Sequence, residues 1–379
     1  MKTRNLILLT TLCLLACTNQ RKKQDISIQH TKQNKEVHYA KGFSINRFKD
    51  YTQIVVRNPW DSTKVLDTYI LVDRNKKLPA QLPEGNLVRT PVERVAFASS
   101  VHAGIWNQLK KAHLTVGVCE PEYFSIPVIK EGLKSGKITD LGMATSINIE
   151  KLIAASPDIL VISPFENTKR TEFEKVNIVV VKDASYMEES PLGRAEWIKF
   201  EAAYTNEGKL ADEIFSKIER NYLELCKKVS GTTNRPTVFT EKKFGDIWYI
   251  AGGKSYLGTF MKDAGADYLW KDLNFSGSAP FTFENVYAKA IKADFWLLKY
   301  NDTQSYLTYE SLKNEYNLYG NFNAFKQKQI FAINTAKTPF YESGPMEPDC
   351  VLADLVHIFH PELLPGYKPK YYFNLDNNK

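Results

Sequence analysis

The sequence predicts an α/β protein: two Rossmann-like lobes joined by a long backbone helix, with a small N-terminal β extension. Three observations predict it. An alternation of β-branched runs and amphipathic stretches begins after Pro91 and occurs twice, one unusually long amphipathic stretch separates the two copies, and the stretch from Tyr39 to about Val92 carries strand and turn patterns only.

At the N-terminus, Lys2 and Arg4 precede an apolar run from Leu6 to Leu15 that ends in Ala16-Cys17. The run falls well below the roughly 20 residues that a helix needs to cross a bilayer, and a small residue before a cysteine suits cleavage there. It resembles the bacterial lipobox, which implies diacylation of Cys17. Residues 1–17 are therefore expected to be a lipoprotein signal peptide. Residues 18–38, rich in Gln, Lys, Asn and Thr, read as a flexible tether because such a composition buries too little surface to fold. About 340 of the 379 residues follow, enough for two lobes with sizeable cores.

The formal charge is +7, or +5 without Lys2 and Arg4, and it is spread along the chain. No Lys/Arg cluster with interleaved aromatics marks a nucleic-acid groove, so no nucleic acid is expected as a partner. Of five cysteines, Cys13 and Cys17 belong to the export signal. Cys119, Cys226 and Cys350 stand far apart without Cys-x-x-Cys spacing, which supports neither a disulfide scaffold nor a zinc ribbon. One disulfide among these three remains arithmetically open.

Residues 39–92 read as a small antiparallel extension packed on the first lobe, with Gln53-Ile54-Val55-Val56-Arg57 and Thr68-Tyr69-Ile70-Leu71-Val72 as strands between turns at Asn58-Pro59 and Pro83-Glu84-Gly85. The first α/β lobe occupies 93–205, with strands at Arg94–Ala98 and Leu114–Val118 and a helix from Val101 to Lys111 between them. Residues 206–230 form the linking helix, in which Leu210, Ile214, Ile218, Tyr222 and Leu225 recur at helical spacing over about 35 Å. The second lobe, 231–379, repeats the grammar with a strand at Thr237–Thr240, a helix from Lys254 to Asp263 and a short strand from Ala266 to Trp270. Each copy then reaches a helix that opens near a glutamate and leads into a buried strand: Asn148-Ile149-Glu150 through Ile162, and Thr282-Phe283-Glu284 through Leu298. Two similarly built lobes favour a ligand in the crevice between them.

The ordered set of these two glutamate helices, Glu196-Trp197-Ile198-Lys199-Phe200 and Ala251-Gly252-Gly253-Lys254-Ser255 resembles the helical-backbone class of periplasmic binding proteins, from about Arg94 to about Pro361. That class contains the ferric-siderophore, haem and vitamin B12 binders of ABC importers. The resemblance implies a monomer, lipid-anchored in the periplasm, that holds no cofactor of its own. It would capture a metal complex (an iron siderophore or haem, alternatively a corrinoid) and pass it to an ABC permease and its ATPase in the inner membrane. It also implies that Glu150 and Glu284, one on the outer tip of each lobe, dock into arginine pockets of the permease. Its cobalamin binders place a tryptophan six residues before each docking glutamate, where this chain has Ala144 and Ser278.

Ligand contacts are expected on the loops that follow the strands: His102, Tyr123, Phe124, Met143, Phe165, Trp248, Tyr249, Phe281 and Tyr341. Their aromatic content suits a large, partly apolar ligand. A bound zinc or manganese ion is not expected, since only six histidines occur and two of them lie in the tether. Gly252-Gly253-Lys254-Ser255 is not a phosphate-binding loop, because Trp248 occupies the position of its first glycine, and no Gly-x-Ser-x-Gly elbow is present. The expected class is a binding protein, with a lipid-anchored enzyme or redox protein on the same scaffold as the alternative.

Overall fold

Strand order explains where a ligand crevice can form. In the first lobe the parallel strands run in the order Val179–Lys182, Ile159–Ile162, Val95–Phe97, Thr115–Val118 and Thr139–Asp140. The order reverses between Val95–Phe97 and Ile159–Ile162, and in open α/β sheets such a reversal is where the loops diverge and a ligand crevice is favoured at the carboxyl ends of the strands. In the second lobe the order is Asp267–Tyr268, Thr237–Thr240, Phe295–Tyr300 and Ile330–Asn334, with Phe373–Asn374 added antiparallel at the edge. Its reversal lies between Thr237–Thr240 and Phe295–Tyr300. These relations come from a computed structural model that describes residues 36–166, 176 and 178–377. The lipidation candidate Cys17, its signal segment and the tether up to residue 35 lie outside the described residues.

The backbone helix spans Gly208–Ser230 and buries Ala211, Phe215, Ile218, Tyr222, Leu225 and Val229. This stripe at three- and four-residue spacing differs at its start from the expected one, since Leu210 and Ile214 are only half-buried while Ala211 and Phe215 face inward. The helix packs against Pro348–Phe359 and against Ile198–Thr205. Every residue of Ile198–Thr205 is buried, which explains its weak amphipathicity in sequence.

The extension is a four-stranded sheet in the order Phe43–Arg47, Thr52–Arg57, Val65–Asp73, Asn86–Thr90. Its last pair is parallel, with Tyr69 opposite Asn86, and not antiparallel as the sequence suggested. Residues 74–85 supply the crossover that a parallel pair requires. The guanidinium of Arg89 pins this crossover by donating to the carbonyls of Asp73, Arg74 and Lys76. The sheet is sewn to the first lobe through Tyr69, whose hydroxyl donates to the Val180 carbonyl at 3.1 Å and accepts from the Lys182 amide at 2.8 Å.

Residues leading into the extension are held by two acidic side chains of the first lobe. The Glu196 carboxylate accepts from the amides of His38, Tyr39 and Ala40, and Glu188 accepts from those of Lys41 and Gly42. Backbone donors that would otherwise be left unpaired are thereby satisfied. The Tyr39 hydroxyl donates to Glu219 of the backbone helix at 2.7 Å, and that bond, with burial and the charge of Glu219, pushes the phenol up to about 12.

Candidate functional site

The carboxyl ends of both parallel sheets carry exposed apolar and aromatic side chains. From the first lobe come Tyr123 and Met143, and Phe165 three residues beyond its strand. From the second come Phe244, Ile247 and Tyr249 after Thr237–Thr240, Tyr306 after Phe295–Tyr300, and Tyr341 after Ile330–Asn334. Large apolar side chains exposed on loop after loop at the carboxyl ends of the sheets are the feature to explain, because a scattered exposed residue needs no explanation. Phe244, Ile247 and Tyr306 were not among the expected contacts. Phe244, 81 % exposed and flanked by Lys243 and Gly245, is the one that local sequence announces. The Lys337 ammonium lies 3.7 Å from the centroid of the Tyr306 ring, which places a cation among these aromatics.

The two lobes touch beside this surface. The Ser125 amide and hydroxyl donate to the carboxylate of Glu342, the amide at 3.1 Å. Helix Ser100–Gln108 packs against Phe340–Ser343, and Gly104 permits the approach: a Cβ there would lie 1.8 Å from the Glu342 carbonyl oxygen.

Three expected ligand contacts are corrected by burial. Trp248 is wholly enclosed in the second-lobe core, its indole N–H donating to the Thr240 carbonyl at 3.0 Å and its ring within about 6 Å of Phe239, Trp296, Tyr319 and Phe322. In strand Trp248–Ala251 only Tyr249 is exposed, so Tyr249, not Trp248, faces out. Phe124 packs into the first-lobe core beside Ile126 and Ile129. His102 lies on the buried face of Ser100–Gln108 and offers a ligand no surface. Phe281 is half-buried opposite Trp248 and packs edge-on against Trp270.

Buried His102 instead meets two carboxylates that sequence gave no reason to connect with it. Its Nε2 lies 3.1 Å from Ser163 Oγ, and its Nδ1 lies 3.4 Å from Asp183 Oδ2 and 3.9 Å from Glu201 Oε1. Burial, together with the charge of Asp183, pushes the Glu201 carboxyl well above its ordinary range. Burial pushes Asp183 up as well, but the adjacent His102 together with hydrogen bonding to His102, Ser185 and Glu201 outweighs it and leaves that carboxyl below its ordinary value.

Glu150 and Glu284 occupy matching places. Each is exposed and is the second residue of a short helix, Ile149–Ala155 and Phe283–Ala290. Asn148 and Thr282 cap those helices by accepting from the amides of Lys151 and Asn285. A short antiparallel pair presents each helix: Gly142–Met143 with Ser146–Ile147, and Trp248–Ala251 with Ser278–Phe281. The Glu284 carboxyl is held below its ordinary value by its own backbone amide, the Thr282 hydroxyl and nearby Lys243.

Known proteins resemble this chain in sequence or in fold. Two uncharacterized lipoproteins of Methanocaldococcus jannaschii are each 27% identical to this chain, one over 369 residues (90% of this chain and 86% of the relative) and one over 354 residues (89% and 86%). The periplasmic heme-binding protein HutB of Vibrio cholerae superposes with a TM-score of 0.57 at 16% identity, covering 71% of this chain and 99% of that one. A protein of an ABC-type Fe3+-hydroxamate transport system from Saccharomonospora viridis gives 0.55 at 18% identity, covering 71% and 94%. At these identities the likeness is one of fold. A family model described as periplasmic binding protein matches residues 96–336, which takes in both Rossmann-like sheets up to the last parallel strand, and the chain belongs to that family of substrate-binding proteins rather than to the enzymes.

Proposed function

We propose that this protein captures an iron complex, a ferric siderophore or haem, between its lobes and delivers it to an ABC permease. One observation carries the reading: four exposed tyrosines, Tyr123, Tyr249, Tyr306 and Tyr341, lie with Phe165, Phe244 and Met143 at the carboxyl ends of the two sheets. Aromatic faces provide contact area for a planar or bulky complex, and phenol oxygens are hard donors suited to ferric iron. Ala144 and Ser278, standing where cobalamin binders of this class carry tryptophan, weigh against a corrinoid.

Titration with haem and with ferric hydroxamates, followed by quenching of intrinsic fluorescence, tests the reading. Tyr123→Ala and Tyr341→Ala are each expected to weaken binding by about 1–3 kcal/mol, the range for losing one buried aromatic contact, with stability unchanged because both rings are already exposed. Unchanged affinity in both variants would overturn the tyrosine-lined cleft.

The same proposal places the protein on the envelope through Cys17. Cys17→Ser is expected to abolish lipid labelling and move the protein to the soluble fraction, since stable anchoring here rests on the acylated cysteine. Tight membrane association of that variant would contradict it.

A further inference from the structure

We propose that His102, Asp183 and Glu201 bind one divalent transition-metal ion inside the first lobe, distinct from any metal complex carried in the cleft. Each of these side chains is at most 1% exposed, and one atom of each points to a common spot: His102 Nδ1, Asp183 Oδ2 and Glu201 Oε1 lie within 4.8 Å of one another. None of the three makes a well-formed hydrogen bond. Buried polar atoms left without partners are rare in folded proteins, and three at one point ask for a shared partner.

The remaining polar atom of each side chain is already fixed. His102 Nε2 faces Ser163 Oγ at 3.1 Å, Asp183 Oδ1 accepts from the Ser185 amide at 2.7 Å, and Glu201 Oε2 accepts from the Trp106 indole at 2.8 Å. This is the outer-shell pattern of a metal site, in which a partner on the far atom turns the near atom toward the ion. Spacing is close to what an ion needs. Bonds of about 2.0–2.2 Å around a tetrahedral ion put donor atoms roughly 3.3–3.6 Å apart; the 3.4 Å separation of His102 Nδ1 from Asp183 falls within that range, and the 3.9 Å separation from Glu201 lies just above it.

Charge points the same way. Among the described residues no lysine or arginine pairs with Asp183 or Glu201, which leaves His102 as the cationic group beside them, and enclosed carboxylates whose charge is not fully compensated are costly. A divalent cation with a neutral imidazole and two carboxylates leaves the cluster neutral. One imidazole and two carboxylates suit Zn2+, Mn2+ or Fe2+. The Tyr204 hydroxyl, about one helical turn after Glu201, is also buried without a partner.

Ser163, His102 and Asp183 also invite comparison with a hydrolytic triad, but the geometry disfavours it. The residue after Ser163 is Pro164, which lacks the N–H that the residue following a nucleophile supplies to an oxyanion hole. A triad also has no use for the second carboxylate aimed at His102 Nδ1.

Metal analysis of the full chain in detergent, folded according to circular dichroism, tests the proposal with Zn2+ as the probe. The wild type is expected to retain one Zn2+ per chain through gel filtration and to melt at a lower temperature after EDTA treatment, because a metal that binds only the folded state stabilises it. Glu201→Gln keeps an acceptor for Trp106 but removes one anionic ligand. It is expected to bind Zn2+ at least ten-fold more weakly and to melt at a temperature that EDTA no longer changes, and Asp183→Asn, the second variant, is expected to match it. A wild type that retains no Zn2+ and ignores EDTA would overturn the proposal and leave a cluster held by shared protons. Retention undiminished in both variants would overturn it too, by placing the ion elsewhere.

Discussion

Replacing Trp248 by alanine is expected to cost about 3–5 kcal/mol of stability, the range for removing a large aromatic from a packed core. The indole is wholly buried against Phe239, Trp296, Tyr319 and Phe322, and its N–H is satisfied by the Thr240 carbonyl. Truncation would leave a cavity and an unpaired carbonyl together. A domain typically holds only about 5–15 kcal/mol in total, so the variant should unfold at markedly lower denaturant. Any folded fraction should bind ligand with wild-type affinity, because the ring does not face the crevice. Guanidinium unfolding followed by titration of the folded fraction checks both points, and a stable variant with weakened binding would contradict this placement.

Trp248 also shows how far the sequence was legible. The repeated strand and helix grammar made two α/β lobes readable, because hydrophobic periodicity survives without knowledge of tertiary contacts. The stripe along the backbone helix was readable for the same reason, apart from its first turn, where Ala211 and Phe215 face inward in place of Leu210 and Ile214. Which member of an aromatic pair points inward was not readable: Trp248 and Tyr249 are adjacent, and a short strand's facing is set by the sheet it joins. The parallel final pair of the extension was hidden because strand direction depends on the 74–85 crossover, not on residue pattern. Least legible was the cluster of His102, Asp183 and Glu201. Its members lie 81 and 18 positions apart and meet because two buried helices and the end of one parallel strand converge, which no local spacing encodes.

The double substitution Glu150→Ala and Glu284→Ala is expected to abolish uptake while leaving ligand affinity unchanged. Both glutamates are exposed second residues of capped helices, one per lobe, and the docking proposal gives each an arginine partner on the permease. Truncating one side of a close interfacial charge pair costs about 2–5 kcal/mol, so two such losses would take a modest receptor–permease affinity out of its working range. Loss of two favourable contacts with helix N-termini should cost each helix only about 0.3–1 kcal/mol, too little to unfold the protein. Ligand titration of the purified variant paired with uptake in cells separates the roles. Normal uptake would remove the docking function, and lost binding in a folded variant would move the glutamates into the cleft.

Native mass spectrometry of the full chain, released from detergent after incubation with haem, with several ferric hydroxamate and catecholate siderophores and with cobalamin, tests the central claim most directly. The account predicts a 1:1 complex with at least one of the iron compounds, the ligand recovered at its original mass. It predicts no comparable complex with cobalamin. A chain that binds none of the iron compounds, or that returns one of them chemically altered, would contradict it.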